Sequence, residues 1–288
     1  MNQAALRSAM RRRSRQARYD EAMNQPDSAD RSRPSGQVWQ SGSRVAFFGG
    51  SFDPPHLGHL AVARAARDAF RLDAVLFAPV GAQPLKREGS TASFEHRLEM
   101  TRLAIAGERG FAVSLADAPR PLGGSESPRL PPNYTIDTLV GLRAALQPGF
   151  ALYCLMGADS FFGLRRWHRA AEIPFVAPLI VAWRPGQPLE GLKAALPQGL
   201  ALEPAAEGDR NESGIEVRAF CLVNPARAHV PFYVLPGLDV EISATEIREA
   251  IRKAVHVESS VAQAGSAAVQ TMLPAAVAEY IRAHGLYR

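Results

Sequence analysis

Gly49-Gly50-Ser51-Phe52-Asp53-Pro54-Pro55-His56-Leu57-Gly58-His59-Leu60 is the stretch whose reading decides the fold. It follows a short apolar run, Val45-Ala46-Phe47-Phe48, and precedes Ala61-Val62-Ala63-Arg64-Ala65-Ala66, whose alanines favour helix. Strand, glycine turn and helix start come in the order by which α/β proteins hold phosphate groups on free helix amides. Two glycines let the backbone approach a ligand and adopt positive φ. Asp53-Pro54-Pro55 suits a turn into a helix, whose first turn tolerates proline. His56 and His59 stand three apart, so both lie on one face of that first turn. Two imidazoles beside unpaired amides make an oligophosphate site. A lone histidine near a turn is ordinarily a surface residue, but a pair in this setting is not. Zinc is the competing reading, yet no third ligand follows in a pattern such as His-Glu-x-x-His.

Outward from that stretch, apolar runs alternate with helical segments, which predicts βαβ units and a parallel sheet. Val45 to Phe48 is a first strand, Leu57 to Phe70 a first helix, and Ala74 to Pro79 a second strand. The loop after it, at the ligand-facing edge of such a sheet, carries Lys86 and Arg87. Ser93 is a candidate N-cap for an amphipathic helix from Glu95, and Phe111 to Leu115 is a third strand. Asp117 to Pro132, full of Pro, Gly and Ser, reads as a mobile loop. Asn133 or Thr135 is positioned to cap the next helix. Phe150 to Gly157 is nearly continuous in apolar residues, as a central parallel strand buried on both faces requires. Pro178 to Gly186 is a further strand and turn. Residues 187–229 are weakly patterned, leaving an insertion or a partner surface as readings. Val230 to Leu235 reads as an edge strand because of Pro231. Ser243 and Glu246 fit a capping box opening a helix, with Arg248 one turn inside. The predicted fold is α/β, a doubly wound parallel sheet with a small C-terminal helical part at about 240–288.

The opening stretch resembles the Gly-x-Phe-Asp-Pro-x-His-x-Gly-His signature of nucleotidyltransferases that bind the triphosphate of a nucleoside triphosphate. Within them the chain, from about Arg44 to Arg288, is similar to the nicotinate-nucleotide adenylyltransferases. Tyr134-Thr135-Ile136-Asp137-Thr138-Leu139 resembles the helix start whose amides receive the nicotinate carboxylate in that family. Gly157-Ala158-Asp159-Ser160 followed by Trp167-His168 matches its ribose-binding Asp and pyridine-stacking Trp. Ile242-Ser243-Ala244-Thr245-Glu246-Ile247-Arg248 matches its pyrophosphate-binding string, and an arginine at Arg97 is regular. The resemblance implies a Rossmann-like nucleotidyltransferase fold and adenylyl transfer from ATP to nicotinate mononucleotide, with Mg²⁺ accompanying ATP. It assigns catalysis to His56, His59 and Arg248. ATP binding falls to these three with Gly49, Gly50, Ser51, Phe52, Gly157, Asp159, Ile242 and Ser243. Nicotinate-nucleotide binding falls to Lys86, Tyr134, Thr135 and Trp167. No direct protein ligands to a metal are expected. One departure stands out: the family's loop histidine is here Leu85.

The chain has 288 residues, 47% hydrophobic and 21% charged, ordinary for a globular protein with a sizeable core. No apolar run approaches the roughly 18 residues of a membrane span, and the arginine-rich start lacks the apolar segment of a secretory signal. Cys154 and Cys221 form no Cys-x-x-Cys pair, so a reduced, cytoplasmic setting is expected. The net charge of +5 sits entirely within residues 1–44, which hold nine arginines against four acids; the remainder has 24 of each sign. A body of zero net charge argues against a nucleic-acid partner. Residues 1–43 are expected to be a disordered arm, with Trp39 the one residue able to dock. Residues 44–288 would be the nucleotidyltransferase domain, free to self-associate. The rival readings are a sister adenylyltransferase acting on nicotinamide mononucleotide or phosphopantetheine and, in another class, a non-catalytic nucleotide- or RNA-binding protein.

Overall fold

A computed structural model describes residues 42–85, 89–120, 131–183, 191–205, 208–212, 214–236, 242–255 and 271–288. The arm with Trp39, the Lys86-Arg87 pair, Arg184 to Gly186 and most of the Pro/Gly/Ser-rich loop lie outside the described residues. The first half runs β1 (Arg44–Gly50), α1 (Leu57–Phe70), β2 (Ala74–Pro79), α2 (Phe94–Ala104), β3 (Phe111–Val113) and α3 (Thr135–Ala145). The second half begins β4 (Ala151–Gly157), α4 (Ala158–Gly163), α5 (Ile173–Val176), β5 (Leu179–Ala182), α6 (Gly191–Ala195) and β6 (Ala201–Pro204). It closes with β7 (Arg210–Glu212), β8 (Ile215–Val223), β9 (His229–Leu235), α7 (Ala244–Val255) and α8 (Ala275–His284).

The strand order is β3-β2-β1-β4-β5-β9-β8-β6, with β7 pairing β8. β1 pairs in parallel with β2 on one side and β4 on the other, so the winding reverses between β1 and β4. Reversal sends the crossover helices to opposite faces and opens a crevice at the carboxyl ends of those two strands. The chain is therefore a doubly wound α/β fold with a C-terminal helical part. Alternate residues of each central strand feed two separate cores, as a sheet covered on both faces demands. Val45, Phe47, Leu76 and Leu152 pack with Ile136, Leu139 and Phe161 from α3 and α4. Ala46, Phe48, Val75 and Phe77 pack with Leu60, Met100 and Val277 from α1, α2 and α8.

Three expectations change. β9 is internal, not an edge: it pairs in parallel with β5 and antiparallel with β8. Proline is tolerated because the β5 ladder begins at Phe232, one residue after Pro231. The weakly patterned 187–229 region holds β6, β7 and β8, which continue the sheet in antiparallel fashion. Its signal was present in Ile215-Glu216-Val217-Arg218, a strand alternation broken at once by Ala219-Phe220-Cys221-Leu222-Val223. Finally, Asp117 to Arg120 belongs to the body: the Asp117 carbonyl accepts from Gly81 N at 2.7 Å, and its side chain is buried. Gly81 makes this contact possible, since a Cβ there would lie 2.4 Å from Pro119 N and 2.6 Å from its Cα.

Candidate active site

The crevice at the β1/β4 reversal is a cleft of about 610 Å³. Its floor is the ends of the two strands, Gly49, Gly50 and Gly157, with Cys154 beneath. That size suits a mononucleotide-class ligand. Gly49 and Gly50 are the last residues of β1, paired with Ala78 and Pro79, so the left-handed turn falls elsewhere. It falls on Phe52, at φ 46°, a strained conformation for a bulky residue. The Phe52 ring is thereby turned inward, edge-on to His59 at 4.9 Å and to Phe48 at 5.7 Å.

His56 is the N-cap of α1 and His59 its third residue, and their rings lie 3.7 Å apart between centroids. The His56 amide donates to His59 Nδ1 at 3.2 Å. A neutral imidazole whose Nδ1 accepts carries its proton on Nε2, so His59 presents an N–H donor. Burial pulls the His56 pKa down from 6.5 to about 4, and burial together with the neighbouring His56 holds His59 well below its ordinary value. Both rings are therefore neutral at pH 7. His56 Nδ1 is fully buried, on the side of its ring that faces the first turn of α1.

Asp53, which the sequence reading left out of the site, is the hub of this loop. Its carboxylate accepts from the amides of Thr91 at 2.6 Å and Ala92 at 3.1 Å, just before α2. Its carbonyl accepts from Arg248 Nη1 at 2.7 Å, while Arg248 Nη2 donates to the Thr245 hydroxyl at 3.1 Å. Those bonds carry the guanidinium of α7 across to the histidine loop, into the same cleft as Ile242 and Ser243. The Ser243 hydroxyl accepts from the Thr245 amide at 3.3 Å, as an N-cap should. Arg97 has a different task. It is buried, and its guanidinium donates to the carbonyls of Ala92, Ser51 and Val80 at 3.3, 2.7 and 2.8 Å. It braces the loop from behind.

The far wall is the start of α3. Tyr134, not Asn133 or Thr135, is the N-cap residue, and no side chain caps the helix. Asn133 is spent elsewhere, accepting from Ala82 N and donating to the Ala118 carbonyl, both at 2.9 Å. The Asp137 and Thr138 amides are satisfied by the Tyr134 carbonyl at 3.0 and 3.2 Å. The uncapped first turn with Thr135 faces the cleft and suits an anion. Tyr134 stacks obliquely on His168, ring centroids 4.3 Å apart, beside Trp167, which also lines the cleft. Asp159, in the first turn of α4, is exposed on the same wall. Leu85 lies at the mouth, 49% exposed. Lys86, assigned to the nicotinate nucleotide, lies outside the described residues. The fold thus gathers into one cleft every candidate residue that is described.

Residues 47–250 match the family model described as cytidylyltransferase-like. A protein of Gloeobacter violaceus named "Probable nicotinate-nucleotide adenylyltransferase" is 35% identical over 246 residues, covering 85% of this chain and 97% of its own. A protein of the same name from Stenotrophomonas maltophilia is 36% identical over 248 residues, covering 84% and 96%. The chain belongs to the nicotinate-nucleotide adenylyltransferase family. A solved structure, the Plasmodium falciparum nicotinic acid mononucleotide adenylyltransferase complexed with NaAD, shares the fold at TM-score 0.55 and 16% identity. That likeness covers 85% of this chain and 97% of the other.

Among the described residues no group of three His, Cys, Asp or Glu side chains could hold a metal ion, and no helix is long and apolar enough to cross a membrane. Besides Asp53, the adenylyltransferase cleft contains two further residues that the sequence does not single out. Asp117 is buried against Thr138, whose hydroxyl donates to it at 2.8 Å, and burial raises its pKa to about 6. Trp183 is buried beside Phe162, with ring centroids 5.2 Å apart. Neither lies in a recognisable motif, and only the fold brings them to the cleft.

Proposed function

We infer that this chain transfers the adenylyl group of ATP to nicotinate mononucleotide, releasing pyrophosphate and forming deamido-NAD, a step of NAD biosynthesis. The observation that carries the reading is the neutral His56–His59 pair lying across one cleft from an uncapped α3 N-terminus. One end suits a triphosphate and the other a carboxylate.

In this reading an oxygen of the acceptor phosphate attacks the α-phosphorus of ATP. The new P–O bond forms as the bond to the β-phosphate bridging oxygen breaks, and its electron pair leaves with pyrophosphate. The acceptor phosphate, with a second pKa near 6, is largely dianionic at pH 7 and requires no general base. Catalysis then rests on alignment and on stabilising charge that builds at the α-phosphate and the leaving group. His59 donates from Nε2, and His56 packs against it in the same cleft. A neutral donor already held in place acts on developing charge without reorganising. Arg248 supplies the fixed positive charge for the β- and γ-phosphates, with Ser243 and the α7 amides beside it. Mg²⁺ would enter with ATP as part of the substrate and would offset the charge of its phosphates. Gly49, Gly50, Ser51 and Phe52 shape the phosphate loop, and Gly157, Asp159 and Ile242 receive the nucleoside. Tyr134, Thr135 and Trp167 take the nicotinate ring and its carboxylate, and Lys86 is assigned to the same nucleotide from the sequence alone.

The deciding experiment measures pyrophosphate release with ATP and Mg²⁺, comparing nicotinate mononucleotide, its amide and phosphopantetheine. Strong preference for the acid is expected. Preference for the amide or for phosphopantetheine would keep the triphosphate half of the reading and discard the acceptor half. No release with any of the three would overturn it.

A further inference from the structure

The penultimate residue of the chain reaches the phosphate loop. Tyr287 follows α8 and is 5% exposed, and its hydroxyl donates to Asp53 Oδ1 at 2.8 Å across 234 residues of sequence. To arrive there the tail turns twice through the left-handed region, at Gly285 with φ 60° and at Tyr287 itself with φ 65°. Glycine adopts that conformation freely, whereas a tyrosine held there is strained, and strain of this kind persists only where the surroundings enforce it. What enforces it is the Asp53 bond and the packing of the ring in the core that also contains Phe52, Met100 and Ile247.

Asp53 ties three parts of the molecule together. Its carboxylate takes Tyr287 together with the Thr91 and Ala92 amides, and its carbonyl holds Arg248 Nη1 at 2.7 Å. It directly follows Phe52, whose ring is packed on His59. Moving the Asp53 side chain therefore tilts the peptide that aims Arg248 and shifts the ring that backs His59. We propose that Tyr287 is a positioning residue for adenylyl transfer, acting on Arg248 through Asp53. The geometry makes the segment after α8 a part of the triphosphate site. Burial and the adjacent Asp53 push the phenol pKa upward, so the hydroxyl is a permanent donor across the working pH range.

The inference rests on the adenylyl-transfer reading, and the test separates the two. The full chain is compared with Tyr287→Phe, which keeps the ring and removes the donor, and with Tyr280→Phe. The second variant also removes one hydroxyl from the C-terminal segment, one lying 3.0 Å from His96 Nδ1 and away from Asp53. Tyr287→Phe should lower kcat/KM for ATP about tenfold or more, the scale of a hydrogen bond to a charged group. The KM for nicotinate mononucleotide should not change. Tyr280→Phe should cost a similar shift in Tm and leave turnover intact. In an Arg248→Ala background, Tyr287→Phe should add less than a twofold loss, because the two residues act as one unit.

Unchanged kcat/KM in Tyr287→Phe would overturn the proposal. So would an equal loss in Tyr280→Phe, or a fully multiplicative loss on top of Arg248→Ala. If the wild-type chain turns over no nicotinate mononucleotide, the functional reading fails instead, and ATP affinity by calorimetry decides the role of Tyr287. Binding weakened about tenfold in Tyr287→Phe would uphold it, and equal binding would overturn it.

Discussion

Protonating His56 should cost stability, and the size of the cost follows from its burial. The ring is 7% exposed, its Nδ1 is fully buried, and its pKa is about 4 instead of 6.5. Between those two values the unfolded chain binds a proton that the native site refuses, so stability falls as pH falls through this window. At pH 5 the unfolded imidazole is almost wholly charged and the native one about a tenth charged, a difference of about 2 kcal/mol. At pH 7.5 it is near zero. His59 pulls in the same direction. Asp117, raised to about 6, pulls the other way: it takes up its proton earlier in the native state and returns about 1.5 kcal/mol by pH 5. The pH dependence of the wild type alone thus mixes opposing contributions of similar size. The comparison that isolates His56 is with His56→Gln, which cannot titrate. Urea unfolding of both proteins at pH 7.5 and 5.0, without nucleotide, gives the change in their stability difference. It should move by about 2 kcal/mol in favour of the variant at the lower pH, whatever constant offset the substitution introduces. A difference that stays fixed between the two pH values would refute a neutral, desolvated His56, and with it the claim that this pair acts by hydrogen bonding and not as cations.

The other expectations concern the loop and its supports. His59→Ala should lower kcat far more than it raises KM for nicotinate mononucleotide, and equal losses in steady-state kinetics would count against a role on the phosphates. Gly81→Ala should destabilise by about 1–3 kcal/mol or more, since the new methyl meets the Pro119 backbone and not a yielding side chain; a thermal melt reads this. Asp117→Asn removes a buried charge, so above pH 6 the variant should gain up to about 3 kcal/mol, less whatever the Thr138 bond loses. That gain should fall to about 0.5 kcal/mol by pH 4. Arg97→Lys, despite its kept charge, should lower Tm by several degrees, because an ammonium cannot reach three carbonyls set around a planar fork.

Much of the site was legible because its chemistry is local. The strand, turn and paired histidines lie within one short stretch, and their order alone implies free amides facing an anion. The helix starts at Tyr134 and Ser243 carry their own signals in the same way. Errors arose where the deciding contact was distant. Asn133 looked like a cap because caps are judged from neighbours in sequence, whereas its amide is committed to Ala82 and Ala118. Pro231 implied an edge because proline lacks a donor, yet the register begins the β5 ladder one residue later. The glycines after β1 looked like the left-handed turn, but Phe52 takes that conformation, held there by aromatic packing.

The sequence by itself determined the alternation of strands and helices, the glycine-histidine loop and the family, since each is written in residues close together along the chain. Only the tertiary structure decided that Arg97 braces the loop, that Asp117 is buried against α3, and that Asp53 joins Tyr287 to Arg248. An aspartate, an arginine and a tyrosine are individually commonplace. Their roles come from hydrogen bonds across nearly the whole length of the chain, and no local pattern encodes a contact whose partners are 234 residues apart.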